Sequence, residues 1–357
     1  MTLRVPLHRA LAEQAERDIV TTPGIRATLF RYPTGIEALR LANDRGEVVV
    51  LPWMGGMIWS ARFDGVDLAM RSRFPDPVPA TTIAETYGCF AFHSGLLRNG
   101  VPGPEDDHPA HGEFPCAPMQ AAWLEVEADG AVRLVCERRY AMGFGAHYRA
   151  HASVSLAPDA TLFDIGLDVE NLSGKPMELM YMCHINFAFP EGGRIHQPAP
   201  FTPDRTAVRR AVPAHVQPNP DYLARIEELG QNPAGAERLD DPAMFDPEQV
   251  FYLHRLGRDA AGDTHLMLRR PEGDGFVASY SPANFPHTVR WLYSDPDAAV
   301  AAFALPSTCE PEGHAAETRK GNVRHLAPGA RAAFRVTTGY LDKDAAQRTE
   351  TLIASLA

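Results

Sequence analysis

The chain has 357 residues, 45% of them hydrophobic and 22% charged, with a formal net charge of −11. That apolar fraction is ample for a large core, and a β-sandwich of this length can be one domain. The acidic balance, with no Lys/Arg block, excludes a basic nucleic-acid surface. No run of about 18 apolar residues is present to form a membrane span.

The N-terminal Met1-Thr-Leu-Arg-Val-Pro-Leu-His8 lacks the apolar core of a signal peptide. Ala10-Leu-Ala-Glu-Gln-Ala-Glu-Arg17 reads as a short polar helix, so residues 1–25 are expected to be an N-terminal helical extension. Glu47-Val-Val-Val-Leu-Pro52 follows the turn Asn43-Asp-Arg-Gly46, and Met57–Phe63 ends at the turn dipeptide Asp64-Gly65. Leu124–Ala128 and Ala131–Glu137, joined by Asp129-Gly130, read as a hairpin.

Alternation is clearest from Tyr148 to Glu170. Tyr148, Ala150, Ala152, Val154 and Leu156 fall on one face of a strand, and His147, Arg149, His151, Ser153 and Ser155 on the other. Phe163, Ile165, Leu167 and Val169 alternate in the same way with Asp164, Gly166, Asp168 and Glu170. A period of two marks strands with one buried and one polar face. Strands follow strands without intervening helical patterns, so the fold class is mainly β and antiparallel. Residues 196–247 differ: they are rich in proline and polar side chains and hold one plausible helix, Asp221–Gly230. An excursion of this length in a compact domain is expected to be ordered and near the site. Residues 1–357 are otherwise expected to form a single domain.

Five scattered cysteines (Cys89, Cys116, Cys136, Cys183 and Cys309) argue against a disulfide framework. With the N-terminus, they predict a reducing, cytoplasmic location. No CxxC pair, P-loop, GxSxG elbow or complete dinucleotide fingerprint occurs.

Chemistry concentrates in a few stretches. His184 lies in Met180-Tyr-Met-Cys-His-Ile-Asn-Phe187, and an imidazole is the natural group to move a proton near neutral pH. A core histidine bonded to a backbone carbonyl would look the same. His111 lies in His108-Pro-Ala-His-Gly-Glu-Phe114, with Trp123 downstream, and Gly95-Leu-Leu-Arg98-Asn-Gly100 precedes it. Glu248 sits just before the aromatic run Val250-Phe-Tyr252, where it could equally be a solvated loop acid. Trp291 follows Phe285-Pro-His287, and Glu310 sits in Leu305-Pro-Ser-Thr-Cys-Glu-Pro-Glu-Gly313, ahead of Leu326-Ala-Pro-Gly-Ala-Arg331. His108, His111 and Glu113 could instead supply ligands to a divalent metal, with His184 joining from elsewhere.

The order and context of these motifs, across roughly residues 35 to 342, resemble the aldose 1-epimerases, or galactose mutarotases. The resemblance implies a large antiparallel β-sandwich with few short helices, and an isomerase that interconverts the α and β anomers of a sugar. It implies Glu310 as the base at the anomeric hydroxyl and His184 as the acid at the ring oxygen. His111, Arg98, Glu248 and Trp291 would then bind substrate, with neither cofactor nor metal. Glu113 stands where the family pattern has glycine, Glu312 where it has glutamine, and the Asn-Phe order after His184 is unusual, so the chain looks like a divergent branch. Two other readings stay open: a lyase or isomerase acting on an oxidised sugar, with or without a metal, and a non-catalytic carbohydrate-binding protein. The expected partner is a small sugar, with no nucleic acid or membrane; monomer and homodimer are equally compatible with the sequence.

Overall fold

The computed structural model describes residues 2–213 and 216–357; Ala214 and His215 of the 196–247 excursion, like Met1, lie outside the described residues. Two antiparallel sheets, of nine and thirteen strands, carry the chain. The nine-stranded sheet runs from Leu3–Leu7 at one edge, through His147–Leu156, Leu162–Asn171 and Arg331–Leu341, to Arg194–His196 at the other. Near the middle of the larger sheet lies Met177–Ile185, flanked by Ala91–Leu96 and Ala299–Ser307, with His287–Ser294 and Gln249–Leu253 beyond.

The alternation read from the sequence builds the core between the sheets. Ala150, Ala152, Val154 and Leu156 pair directly with Val169, Leu167, Ile165 and Phe163. All eight are at most 2% exposed. Their opposite faces carry polar rungs such as Arg149 beside Glu170. Each Val, Leu, Ile or Phe side chain fully buried this way contributes about 1.5–3 kcal/mol before entropy is counted. The fold class expected from the sequence is the one observed.

The N-terminal helix is not. Leu3–Leu7 is a strand on Ala121–Val126, Arg9–Leu11 is one 3-10 turn, and Arg17–Thr21 is an edge strand against Arg26–Arg31. Ala10–Arg17 has too few apolar side chains to make a packing stripe, and most helical stability comes from such packing. Leu7, paired with Ala122, and Ala12 are buried instead in the core of the sandwich.

The described residues of the excursion pack apolar side chains into the main core. Its helix, Pro220–Gln231, buries Tyr222, Ile226 and Leu229, an i, i+4, i+7 stripe. Asn219, one residue ahead of the helix, is its cap and accepts from the Tyr222 amide at 2.8 Å. A C-terminal helix, Lys343–Leu356, capped by Asp342, packs Ala346 and Ile353 against Met267 and Val277. All five cysteines are buried and free. Among the described residues no helix is long and apolar enough to cross a membrane.

Candidate functional site

A cavity of about 690 Å³ opens on the thirteen-stranded sheet, on the face turned away from the nine-stranded one. Strand alternation decides what it sees. On Met177–Ile185, Tyr181, Cys183 and Ile185 enter the core between the sheets, which leaves Met182 and His184 for the cavity. On His287–Ser294, Arg290 and Leu292 point inward, and Val289, Trp291 and Tyr293 line the cavity.

His184 is 3% exposed and stacks on Phe92, its cross-strand partner, with ring centroids 4.5 Å apart and planes at 13°. His111 meets it edge to face, at 5.0 Å and 87°. The Tyr87 hydroxyl lies 3.3 Å from His184 Nε2. Burial, and then the charge of His111, push the His184 pKa well below the ordinary imidazole value. His184 is therefore a neutral imidazole near pH 7.

His111 comes from a loop. Its own φ is 64° and that of Gly112 is 79°, both left-handed. Gly112 is required there: a Cβ would come 2.0 Å from the Arg98 carbonyl oxygen. His111 Nδ1 is 3.0 Å from Ser94 Oγ.

Glu248 accepts from Arg209 Nη2 at 2.5 Å and from Trp291 Nε1 at 2.7 Å. Both side chains of the Glu248–Arg209 pair are under one-tenth exposed. Such a buried, doubly bonded carboxylate is a fixed acceptor suited to a hydroxyl. Arg209 reaches it from the excursion, where its amide donates to the Val250 carbonyl at 2.7 Å.

Of the six site residues read from the sequence, His111, His184, Glu248 and Trp291 line this one cavity. Glu310 and Arg98 do not. Glu310 accepts from Lys320 Nζ at 2.6 Å, and its amide donates to the fully buried Glu317. Only the next residue, Pro311, borders the cavity. Arg98 donates to Glu178 at 2.8 Å, and His314 shares that carboxylate. Each charge has met a partner that local motifs do not reveal.

The alternative metal ligands are also engaged. Glu113 accepts from the Leu96 amide at 3.0 Å, from the Leu97 amide, and from the Tyr148 hydroxyl at 2.9 Å. His108 lies on the exposed loop with Nδ1 beside the Pro109 carbonyl. Among the described residues no set of three or more His, Cys, Asp or Glu side chains is placed to hold a metal ion.

Sequence reasoning passed over Tyr87 and Arg209. A signal for the first existed: Thr82-Ile-Ala-Glu85 is a capping box just ahead of Tyr87, with Glu85 accepting from the Thr82 amide at 2.9 Å.

A family model described as a domain of unknown function, DUF4432, matches residues 33–339. The chain belongs to the DUF4432 family. No curated protein matches this DUF4432 chain. Among solved structures it is similar to a Klebsiella pneumoniae protein provisionally named an aldose 1-epimerase, with a TM-score of 0.82 and 18% identity over 100% of this chain and 95% of that one. It is similar to a galactose mutarotase-like protein from Clostridium acetobutylicum, with a TM-score of 0.61 and 13% identity over 90% of this chain and 100% of that one. It is also similar to a galactose 1-epimerase from Lactobacillus acidophilus, with a TM-score of 0.51 and 12% identity over 91% and 98% of the two chains. This DUF4432 protein thus has the galactose mutarotase-like fold.

Proposed function

We propose that this DUF4432 protein is a carbohydrate-active enzyme that interconverts the α and β anomers of an aldose or sugar derivative by acid–base ring opening in the cavity. One observation carries the reading: two imidazoles, His111 and His184, meet edge to face at 5.0 Å in a cavity that also holds Glu248 and Trp291. The fold shared with proteins named for this reaction supports it.

In this reading one imidazole takes the proton of the anomeric hydroxyl as the other gives a proton to the ring oxygen. The bond from C1 to the ring oxygen breaks and its electron pair stays on oxygen. C1 becomes a carbonyl, turns, and recloses from its other face while both protons run back. His184 is mostly neutral near pH 7 and gives its proton from the minor imidazolium form, which the depressed pKa makes a strong donor. His111 takes the base role that the sequence suggested for Glu310, whose carboxylate is held by Lys320. Each positioned proton transfer contributes about 10²–10⁴-fold. Glu248 and Arg209 hold hydroxyls, and the Trp291 ring offers a face for the sugar's C–H groups.

The test is anomer exchange measured by NMR across a panel of monosaccharides, against the spontaneous rate. We expect at least one aldose to be accelerated, with His111→Gln and His184→Asn each at least about 10²-fold slower. Wild-type rates in both variants, or no acceleration of any aldose, sink the reading.

A further inference from the structure

The two histidines do not have equivalent surroundings. Behind His111 lies a chain of polar groups that the proton transfers above do not use. Ser94 Oγ is within bonding distance of three atoms: Asn99 Oδ1, His111 Nδ1 at 3.0 Å and, more distantly, the His111 carbonyl at 3.4 Å. Asn99 Nδ2 in turn points to Cys309 Sγ at 3.4 Å. Ser94, Asn99 and Cys309 are all 0% exposed.

A serine hydroxyl carries one proton, and an amide oxygen can only accept. With Asn99 Nδ2 turned to the sulfur, its Oδ1 faces Ser94, and the short contact between them takes the Ser94 proton. Ser94 can then meet His111 Nδ1 only as an acceptor, so Nδ1 must carry the hydrogen. In a neutral imidazole the lone pair then sits on Nε2. We propose that Ser94 and Asn99 are positioning residues that fix His111 as the Nδ1–H tautomer, so that His111 Nε2 is the basic atom of the site. The assignment deepens the function proposed above and makes His111, rather than His184, the group that receives the anomeric proton.

The relay also changes what the Cys309-Glu310-Pro311 turn contributes. Its polar tie to His111 runs through the cysteine, by way of Asn99 and Ser94, and not through the Glu310 carboxylate.

The imidazole ¹⁵N resonances of the intact protein test this at a pH where His111 is neutral, assigned by their loss in His111→Gln. We expect a protonated, pyrrole-like Nδ1 and a pyridine-like Nε2. In Ser94→Ala the Nδ1–H share should fall, and kcat for anomer exchange should drop about tenfold or more with KM nearly unchanged. In Asn99→Asp, whose carboxylate still accepts from Ser94, the tautomer should be kept. An Nε2–H form in the wild type overturns the assignment, and this arm stands even if Ser94→Ala fails to fold. An unchanged tautomer in a folded Ser94→Ala also overturns it. A wild type that is Nδ1–H but exchanges no anomer sinks the proposed reaction and leaves the tautomer assignment standing.

Discussion

Lys320 Nζ donates to Glu310 Oε2 at 2.6 Å and thereby takes up the carboxylate that the sequence offered as a base. The same ammonium donates to Glu317 Oε1 at 2.8 Å, and Glu317 also accepts from Asn322 and from the Glu310 amide. The cluster holds the turn together beside the cavity. We therefore expect Glu310→Gln to keep turnover within about tenfold of wild type, whereas a general base in its transition-state role is worth about 10²–10⁴. Rates of anomer exchange for Glu310→Gln and His111→Gln, measured side by side, decide it. A loss of 10²-fold or more for Glu310→Gln, with His111→Gln near wild type, would return the base to Glu310.

The buried histidines set a pH limit on stability. His93 is 2% exposed, bonded through Nδ1 to the Tyr181 hydroxyl at 2.9 Å, and burial pushes its pKa down to about 4. His184 is shifted in the same direction. The sign follows from linkage. Above pH ~6.5 both folded and unfolded chains hold these rings neutral, so they add no pH dependence. Below that value the unfolded chain takes up protons that the folded chain refuses, and stability falls with pH. For His93 alone the loss between pH 6.5 and 4 is about 3 kcal/mol. The Tm should drop steeply across that window, and the slope should shrink in a folded His93→Gln variant. A Tm that stays flat from pH 6.5 to 4 contradicts the burial of both rings.

What was legible in the sequence follows physical range. Alternation over Tyr148–Leu156 and Phe163–Val169 is set by which face is buried, a local property, and it gave the sandwich. His184 and Trp291 were readable because a strand fixes the face of each side chain. That Glu310 and Arg98 lie off the cavity lining was not legible, because their positions depend on charge partners, and Glu178 is eighty residues from Arg98. Arg209 was missed for the same reason, since Glu248 is 39 residues away. The polar stretch Ala10–Arg17 suggested a helix by propensity, which tertiary pairing of its neighbours overrode.

Glu113 bears on the metal reading. Its carboxylate is spent on two backbone amides and the Tyr148 hydroxyl, so its work is to hold the loop that carries Arg98 and His111. Removing it leaves buried donors unpaired, at about 1–3 kcal/mol each. Glu113→Ala should lower the Tm by several degrees, and prolonged chelation of the wild type should leave both Tm and activity unchanged. Stoichiometric metal in the purified protein, lost in Glu113→Ala together with activity, would favour the metal-assisted lyase or isomerase instead.

Substrate charge is the last expectation. Among the described residues, the two arginines that line the cavity are each matched to a carboxylate. Arg209 pairs with Glu248 at 2.5 Å, Arg73 with Asp297 at 2.9 Å, and Arg210, turned outward, with Glu227 at 2.7 Å. A sugar phosphate brings about 1.5–2 negative charges and needs cations to receive them. Drawing Arg209 away would leave Glu248 buried without its ion pair, and breaking a buried pair costs about 3–5 kcal/mol. Neutral or singly charged sugars should therefore be favoured over their 6-phosphates by about tenfold or more in kcat/KM, a difference of ~1.4 kcal/mol. Arg209→Ala should depress activity on the neutral sugar as well, because it removes the ion pair that holds Glu248. Kinetics on one sugar and its own 6-phosphate, in both proteins, provide the measurement. A clear preference for the phosphate that Arg209→Ala or Arg210→Ala abolishes would reverse the conclusion and make the 196–247 excursion a phosphate clamp.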